Sequence, residues 1–370
     1  MVQLRTNHRD TEDTKKRKMR RIDGCRLRPL LIISFALSIG TTACSPKAAK
    51  GVNTSQAGSY IETGSKPSWT PDGKSLVISH WIDGNYELSL LELESGAVKR
   101  ITRNQAYDGS PAVSPDGKHV AFESTAGGNR AIHVTSMDGA NIVRIGSIGE
   151  DCTQSRSPVW FPDGSRVLFV ALQGGKPDLF LAKPDGRDVR PLSKTQGYRE
   201  SPGIAVKGGL VAFRTPGNPN FGISKMSLDG ANETPSIAED SAVDWPSWNN
   251  DSSRMAYVRY ENGGSAVYVR DLGTGNSVRV SPPSTATDWH WHPGWSPDGK
   301  WIAFNEHAGP VWGIAIVQAD GAGYSRIRTS PKWEGHPVWN PDSSRIAFFS
   351  SADRGFYIVD LEGKFARRVR

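Results

Sequence analysis

Four histidines in the last quarter of the chain have the residue type and spacing of a metal site. They are His290, His292, His307 and His336, and His80 is a further candidate. His292 and His336 are 44 residues apart, and each directly precedes a proline. Neutral imidazoles are common ligands of zinc and manganese. The four side chains therefore predict a site for a divalent metal, manganese or zinc. The alternative is that each histidine caps a strand or bonds a neighbouring loop.

Aromatic and charged residues accompany these histidines. A flat apolar ring beside fixed hydrogen-bonding groups suits a sugar ring or an extended peptide. The predicted ligand-binding set consists of Trp289, Trp291, Trp333, Tyr198, Arg156 and Asp244. No strong nucleophile or acid–base constellation accompanies it, so the sequence favours a non-catalytic module that binds a protein, peptide or saccharide.

A short phrase that begins with proline recurs seven times and defines the elements that position these side chains. The copies begin at Pro67, Pro111, Pro158, Pro202, Pro246, Pro293 and Pro337, at intervals of 44 or 47 residues. A period in the low forties, built from short strands and turns, is typical of a β-propeller. Each small sheet must pack against the next copy. The sequence therefore predicts an all-β fold, a seven-bladed β-propeller of four-stranded antiparallel blades, over residues 65–370.

The aspartates of the repeat belong to turns. In Trp295-Ser-Pro-Asp-Gly-Lys, proline presets the first central turn position and glycine takes the positive φ that follows. Turn chemistry explains these aspartates better than calcium binding or catalysis does. The tryptophan of the phrase is likewise predicted to lie in the core between blades.

The topology of such a blade separates two faces, which we name here. Tight turns between the first and second strands and between the third and fourth form the turn face. The variable loops, between the second and third strands and between successive blades, form the loop face. Because function concentrates in variable loops, we expect the histidines and the ligand-binding set to share the loop face.

The N-terminus has the features of an export signal. Residues 15–28 are basic, residues 30–39 form a short apolar run, and small residues precede Cys44. We expect residues 1–43 to be a lipoprotein signal peptide, Cys44 to be lipidated and residues 44–64 to form a flexible tether. The alternative, an uncleaved membrane anchor, is disfavoured because a span needs about 20 apolar residues. The expected location is the periplasm-facing or outer surface of a bacterial membrane, reached through the lipid anchor alone.

The basic charge of the chain belongs to this leader. Residues 1–43 contain ten Lys or Arg and four Asp or Glu, and the remaining chain has 35 basic against 34 acidic residues. Nothing in that balance supports nucleic-acid binding.

The phrase Trp295-Ser-Pro-Asp-Gly-Lys-Trp-Ile-Ala-Phe304 resembles the TolB-type propeller repeat, over about residues 65–370. The resemblance implies an envelope protein that binds partners. This chain departs from TolB in having seven repeats, no room for an α/β domain and a predicted lipid anchor.

Two further resemblances concern enzymes. Asn305-Glu-His-Ala-Gly-Pro310 and Gly335-His-Pro-Val-Trp339 resemble phrases of oligogalacturonate lyases. This resemblance implies an alternative function, a metal-dependent polysaccharide (uronate) lyase with a His-ligated metal. The repeats also resemble those of prolyl oligopeptidases, which need an α/β-hydrolase domain. The propeller repeats extend to the end of this sequence, so we expect no serine peptidase.

Overall fold

The computed structural model describes residues 66–369, except 147–151, 206, 218–219, 284, 286, 328–331, 333 and 362–365. The predicted signal peptide, Cys44 and the tether lie outside the described residues. Within the described ranges no helix is long and apolar enough to cross a membrane.

In the part of the chain that the structure describes, twenty-eight strands form seven four-stranded antiparallel sheets, each from consecutive strands in chain order. Blade one consists of β1 Ser68–Trp69, β2 Ser75–Ile82, β3 Asn85–Glu92 and β4 Val98–Arg100, and blade two of β5 Asp108–Val113, β6 His119–Ser124, β7 Ala131–Ser136 and β8 Val143–Arg144. Blade three consists of β9 Cys152–Trp160, β10 Val167–Gln173, β11 Lys176–Ala182 and β12 Arg190–Pro191, and blade four of β13 Glu200–Ile204, β14 Leu210–Pro216, β15 Phe221–Ser227 and β16 Thr234–Ile237. Blade five consists of β17 Val243–Trp248, β18 Arg254–Glu261, β19 Gly264–Asp271 and β20 Ser277–Arg279. Blade six consists of β21 Trp289–Trp295, β22 Trp301–Ala308, β23 Val311–Gln318 and β24 Ser325–Ile327. Blade seven consists of β25 Glu334–Trp339, β26 Arg345–Ser350, β27 Gly355–Asp360 and β28 Ala366–Arg368. The predicted seven-bladed, all-β fold is confirmed.

The tight turns follow the chemistry expected from sequence. In blade six, Ser296 Oγ donates to Asp298 Oδ1 at 2.6 Å, and the backbone N–H of Lys300 donates to the same oxygen at 3.1 Å. Gly299 follows with φ +73°, which glycine adopts without a Cβ clash. The carboxylate of Asp298 therefore accepts its hydrogen bonds within the turn, as expected if these aspartates stabilise turns and do not bind calcium or catalyse a reaction.

The first strand of each blade lies at the centre of the ring. The first strands of neighbouring blades contact one another all the way round, including β1 against β25. Seven buried hydrophobic clusters fill the seven interfaces between blades. The core of the protein is therefore shared between sheets, and no blade can bury its faces alone.

The repeated tryptophans bridge these interfaces, as predicted. Each donates its indole N–H to the carbonyl that follows the repeat proline of the preceding blade, at 2.8–3.0 Å. The pairs are Trp69 with Val338, Trp160 with Ala112, Trp248 with Gly203, Trp295 with Ser247 and Trp339 with Gly294. The indoles thus combine apolar burial with a satisfied polar atom.

Ring closure uses the same contact, and the described strands are not exchanged between blades one and seven. Blade one contains only N-terminal strands and blade seven only C-terminal ones. Trp69 packs in one cluster with Phe349 and Phe356 of blade seven. Arg345 lies over its ring, with the guanidinium carbon 5.3 Å from the centroid, and donates to the carbonyl of Gly73 at 3.1 Å. The seam between blades seven and one is therefore closed by side chains.

Candidate binding site at the channel mouth

A β-bulge interrupts the first strand of six blades on the side of the loop face. The strand register shifts at this point, and the residue before the repeat proline has φ between +50° and +57°. These residues are Ser110, Ser157, Ser201, Trp245, His292 and His336. Lys66 holds the corresponding position in blade one. A left-handed conformation costs a non-glycine residue on the order of 1 kcal/mol or more. Bulges re-aim side chains, and this one recurs around the central channel.

Contacts from the preceding blade hold several bulges in place. The backbone N–H of His336 donates to Asn305 Oδ1 at 3.1 Å, and that of Ser157 donates to Glu123 Oε1 at 2.9 Å. Asn305 and Glu123 occupy the same position in the second strands of their blades. The strained backbone is therefore part of the interface between blades, and its geometry is fixed before any ligand binds.

Three bulge residues and the corresponding residue of blade one form a group that we call the channel-mouth arc: Trp245, His292 and His336, with Lys66. The ring centroids of Trp245 and His292 are 4.9 Å apart, and those of His292 and His336 are 5.0 Å apart. Both imidazoles are half-buried. The Nδ1 atom of His292 is buried and has no hydrogen-bond partner. The arc therefore brings two imidazoles and an indole into ring-to-ring contact at this end of the first strands.

The electrostatics of the arc keep its imidazoles neutral. Burial, with a smaller contribution from the charge of Lys66, lowers the pKa of His336 to about 4. Burial, followed by the charges of His336 and Lys66, lowers the pKa of His292 well below its usual range. Both imidazoles are partly desolvated within the propeller. Desolvation and nearby like charge each disfavour the protonated form, which explains why both pKa values are lowered.

The other two predicted metal ligands lie elsewhere. His290 is buried; its Nδ1 lies 2.6 Å from the carbonyl oxygen of Ser265, and its Nε2 lies 3.4 Å from Glu306 Oε1. His307 packs on Trp312, with centroids 4.1 Å apart. No group of three or more His, Cys, Asp or Glu among the described residues could hold a metal. Of the four histidines, His292 and His336 lie ring against ring, whereas His290 and His307 contact other neighbours.

His80, the further candidate ligand, also makes a structural contact. It lies in β2, is buried, and its Nε2 is 2.9 Å from Ser89 Oγ. This contact matches the alternative interpretation, in which a histidine hydrogen-bonds its neighbours within the blade.

The predicted charged residues belong to one network, which we call the ion-pair belt: Arg156, Glu200, Arg214 and Asp244. Glu200 pairs with both arginines, and Arg214 Nη1 donates to Asp244 Oδ2 at 2.8 Å. Tyr198 donates its hydroxyl to Glu200 Oε2 at 2.8 Å. Burial raises the pKa of Asp244, and the charge of Arg214 only partly offsets this effect. The belt joins blades three, four and five beside the channel.

The predicted aromatic residues pack against neighbours on the loop face. Trp289 lies edge-on to Tyr260, with centroids 6.3 Å apart, and Trp291 lies edge-on to Trp312 at 5.5 Å. Trp333 lies outside the described residues. The indoles of Trp289 and Trp291 are half-buried, so each keeps an accessible part.

Three residues of the site were missed in the sequence interpretation. Lys66 and Ser201 hold the position before the repeat proline, so aligning that position across the seven copies would have found them. Arg214 lies within β14 and has no signal of its own in the sequence. Its role depends on carboxylates supplied by β13 and β17.

The two neutral imidazoles predict a specific dependence of stability on pH. An unfolded histidine binds a proton near pH 6.5, whereas His336 binds one only near pH 4. The unfolded state therefore gains protons first as the pH falls, and stability is lost between pH 6.5 and 4. We expect the unfolding free energy to fall by about 1–2 kcal/mol between pH 7.5 and 5 from His336, allowing for partial solvent exposure, and His292 to add to this loss in the same direction.

Chemical denaturation at both pH values measures this loss. The double variant His292→Gln/His336→Gln should show a smaller loss than the wild type by that amount, and His119→Gln should match the wild type. The pKa of Glu306 is lowered to about 2 because contacts with His290, Arg326 and Tyr324 outweigh the effect of its burial, so its protonation acts below pH 4.5. Equal losses in the wild type and the double variant would contradict the prediction.

Comparison with known sequences agrees with the repeat. The family model for the TolB beta propeller domain matches residues 49–156 and 225–370. The Tol-Pal system protein TolB of Francisella tularensis is 39% identical over 61 residues, which are 16% of this chain and 14% of that relative. The chain thus matches only a small part of the length of that curated relative.

Solved structures share the architecture. An oligogalacturonate lyase in complex with manganese superposes with a TM-score of 0.65 at 16% identity, covering 80% of this chain and 88% of that one. TolB from Acinetobacter baumannii gives a TM-score of 0.52 at 14% identity, covering 78% and 77%. At these identities the likeness establishes the propeller fold alone.

Proposed function

The chain belongs to the TolB β-propeller family, and on that premise we propose that it is a cell-envelope binding module that holds a protein partner on its loop face. The relative from Francisella tularensis is a component of the Tol-Pal system. The described residues of the loop face already include groups suited to binding a protein. It uses the half-buried indoles, the ion-pair belt and the channel-mouth arc.

The observation that carries this proposal is the repeated bulge. Six blades hold a non-glycine residue at positive φ at the same end of the channel, and such strain is kept where the surrounding structure over-determines it, often at functional sites. The turn face differs, because its aspartates are satisfied by their own turns, as at Asp72 and Asp116. A partner would therefore find varied, preorganised groups on the loop face only.

Substitutions on the loop face test the proposal. The double variant Arg156→Ala/Trp289→Ala should reduce capture of the partner from solubilised envelopes at least tenfold, because central aromatic and arginine residues dominate binding energy. Val278→Ala is the control, since Val278 is 53% exposed on the outer strand β20. Quantitative affinity capture with unchanged melting temperatures is the measurement. Equal capture by the variant, the control and the wild type would contradict a loop-face interface.

Membrane attachment through Cys44 is the second part of the proposal. A basic segment, a short apolar run and small residues before the cysteine support it. Cys44→Ala should abolish metabolic labelling with an alkyne fatty acid and move the protein to the soluble fraction. The conservative change Cys152→Ala should leave labelling intact. Labelling that persists in the Cys44 variant would refute lipidation at this residue.

A manganese- or zinc-dependent uronate lyase, the alternative expected from sequence, is not supported by the residues present. A catalytic metal site usually has three protein ligands, and the arc supplies two imidazoles, His292 and His336. No third ligand stands with them among the described residues. We therefore derive no lyase step for this chain.

A further inference from the structure

Three aromatic residues, which we call the aromatic row, lie together on the loop face of blades one and two: Trp81, Tyr86 and Tyr107. Trp81 lies edge-on to Tyr86 with ring centroids 5.2 Å apart, and Tyr86 lies edge-on to Tyr107 at 5.9 Å. Trp81 is 54% exposed, the largest exposed fraction among the large hydrophobic residues that the structure describes. A contiguous aromatic surface of this kind, unlike a single exposed side chain, marks a binding site.

The topology of the two blades explains how these residues meet. Trp81 and Tyr86 are directly opposite each other in the hairpin of β2 and β3. Alternation along β2 places Trp81 on the same side as Val77, which packs in the buried cluster between blades one and two. Tyr107 belongs to the connection that enters β5 of blade two. The aromatic row therefore continues the apolar interface between these blades onto the loop face.

Hydrogen bonds hold the aromatic row in place before a ligand binds. The side chain of Asn85 donates to the carbonyl of Asn104 at 3.0 Å and also to that of Ala106. These bonds tie the hairpin to the connection that carries Tyr107. The hydroxyl of Thr125 accepts from the backbone N–H of Tyr107, and the N–H of Thr125 donates to the carbonyl of Tyr107, both at 3.0 Å. Binding to such a fixed surface loses little conformational entropy.

The carboxylates beside the aromatic row are engaged in ion pairs. Glu87 is buried and pairs with Arg100 at 3.0 Å, and the exposed Asp83 pairs with the same arginine at 3.3 Å. Glu123 is buried and pairs with Arg130 at 3.1 Å. A saccharide donates hydrogen bonds from many hydroxyl groups and needs acceptors for them. Carboxylates that are already paired therefore favour a ligand of another class.

The polar groups of the aromatic row itself are suited to donate. The indole N–H of Trp81 can only donate, and the hydroxyl of Tyr86 can donate as well as accept. Neither group bonds another residue within the described part of the chain. Carbonyl oxygens are the matching ligand groups. In a proline-rich segment the rings are apolar, the prolines have no N–H that would need an acceptor, and the extended polyproline II helix leaves the carbonyls free.

We propose that the aromatic row binds a proline-rich segment of the partner protein. Proline rings pack on Trp81 and Tyr86, and carbonyls of the segment accept from the indole N–H and the phenol O–H. The inference rests on the proposed function, because it names the chemistry of the segment that the loop face recognises. Such a segment is already extended before it binds, so little entropy is lost when it docks on an aromatic surface.

Calorimetric titration of the full chain with two blocked peptides tests the inference. N-acetylated decaproline amide should bind, and a Gly-Ser repeat peptide of the same length should bind weaker by about tenfold or more. Chitohexaose and vesicles of phosphatidylglycerol and phosphatidylethanolamine serve as ligands of other classes. Preference for the saccharide or the vesicles over decaproline would overturn the assignment to a protein segment, and equal binding of the two peptides would overturn proline recognition.

Variants of the aromatic row locate the effect. Trp81→Ala should weaken decaproline binding by about tenfold or more, because the ring provides much of the contact. Tyr86→Phe keeps the ring and removes one hydrogen bond, so it should weaken binding by about fivefold. Val98→Ala is the control, because Val98 is an exposed hydrophobic residue on the outer strand β4 of the same blade. Decaproline binding unaffected by Trp81→Ala would refute the inference.

The inference and the proposed function fail in different ways. Arg156→Ala/Trp289→Ala changes residues outside the aromatic row, so it should reduce partner capture and leave decaproline binding unchanged. Trp81→Ala should reduce both. If decaproline does not bind but Arg156→Ala/Trp289→Ala still reduces capture, the inference is wrong and the proposed function stands. If decaproline binds at the row but neither variant changes capture, the proposed function is wrong.

Discussion

Replacing Trp69 with alanine should lower the free energy of unfolding by about 3–5 kcal/mol, the range for truncating a buried aromatic side chain. Trp69 is 8% exposed and donates its indole N–H to the carbonyl of Val338 at 3.0 Å. It also packs in the cluster that joins blade one to blade seven. None of the described strands crosses this seam, so the tryptophan contributes a large share of ring closure.

Trp295→Ala is the matched control, because Trp295 has the same burial and makes the same contact with Ser247. The chain itself still connects blades five and six in that variant. We expect similar losses in denaturant unfolding, but hydrogen exchange in β1–β4 should accelerate only when Trp69 is removed, because that seam has no covalent connection. A loss below about 1 kcal/mol for Trp69→Ala, or equal exchange in β1–β4 of both variants, would contradict closure by side chains.

Replacing Arg214 with methionine should cost about 3–5 kcal/mol, because it leaves the buried carboxylate of Asp244 without its cation and Glu200 with Arg156 alone. The side chain of Asp244 is 3% exposed and that of Glu200 is 13% exposed. Methionine retains most of the apolar contact that the arginine makes above Phe221, where the guanidinium lies 4.6 Å from the ring centroid. The loss therefore reports charge rather than volume.

A charge-free version of the belt separates these contributions. Adding Glu200→Gln and Asp244→Asn to Arg214→Met should recover at least half of the lost stability, since the one charge of the belt that remains, Arg156, has a side chain that is 34% exposed. Arg187→Met is the control, because Arg187 forms its ion pair with Asp185 at the exposed surface and should have no measurable effect. No recovery in the triple variant would indicate that packing, and not buried charge, dominates at Arg214.

The repeat made the scaffold predictable. The spacing of the prolines gave seven blades, the turn residues gave the tight turns, and the tryptophan at the end of the phrase marked the contact between blades. These features are local or periodic, so sequence reports them directly. Ring closure was not predictable, because the contact between Trp69 and Val338 joins residues 269 positions apart.

The site was predicted only in part, and the bulge explains why. Strict alternation places His290 and His292 on the same side of β21. The register shift between Trp291 and Gly294 breaks that alternation, so His290 stays between blades beside Ser265 while His292 reaches the channel. A residue before proline normally avoids such a conformation. The sequence therefore gives no reason to expect a left-handed histidine there.

Site-specific photocrosslinking in living cells tests most directly whether the loop face is the binding face. Trp289 and Trp301 lie in one blade at opposite ends, on the loop face and the turn face respectively. Trp301 lines an open depression of about 360 Å³ with Arg254 and Lys300. A partner that binds the turn face would therefore be within reach of a crosslinker at this position. With a photoreactive phenylalanine at each position in turn, the account predicts an adduct with an envelope protein from position 289 and none from position 301. An adduct from position 301 alone, or equal adducts from both, would contradict it.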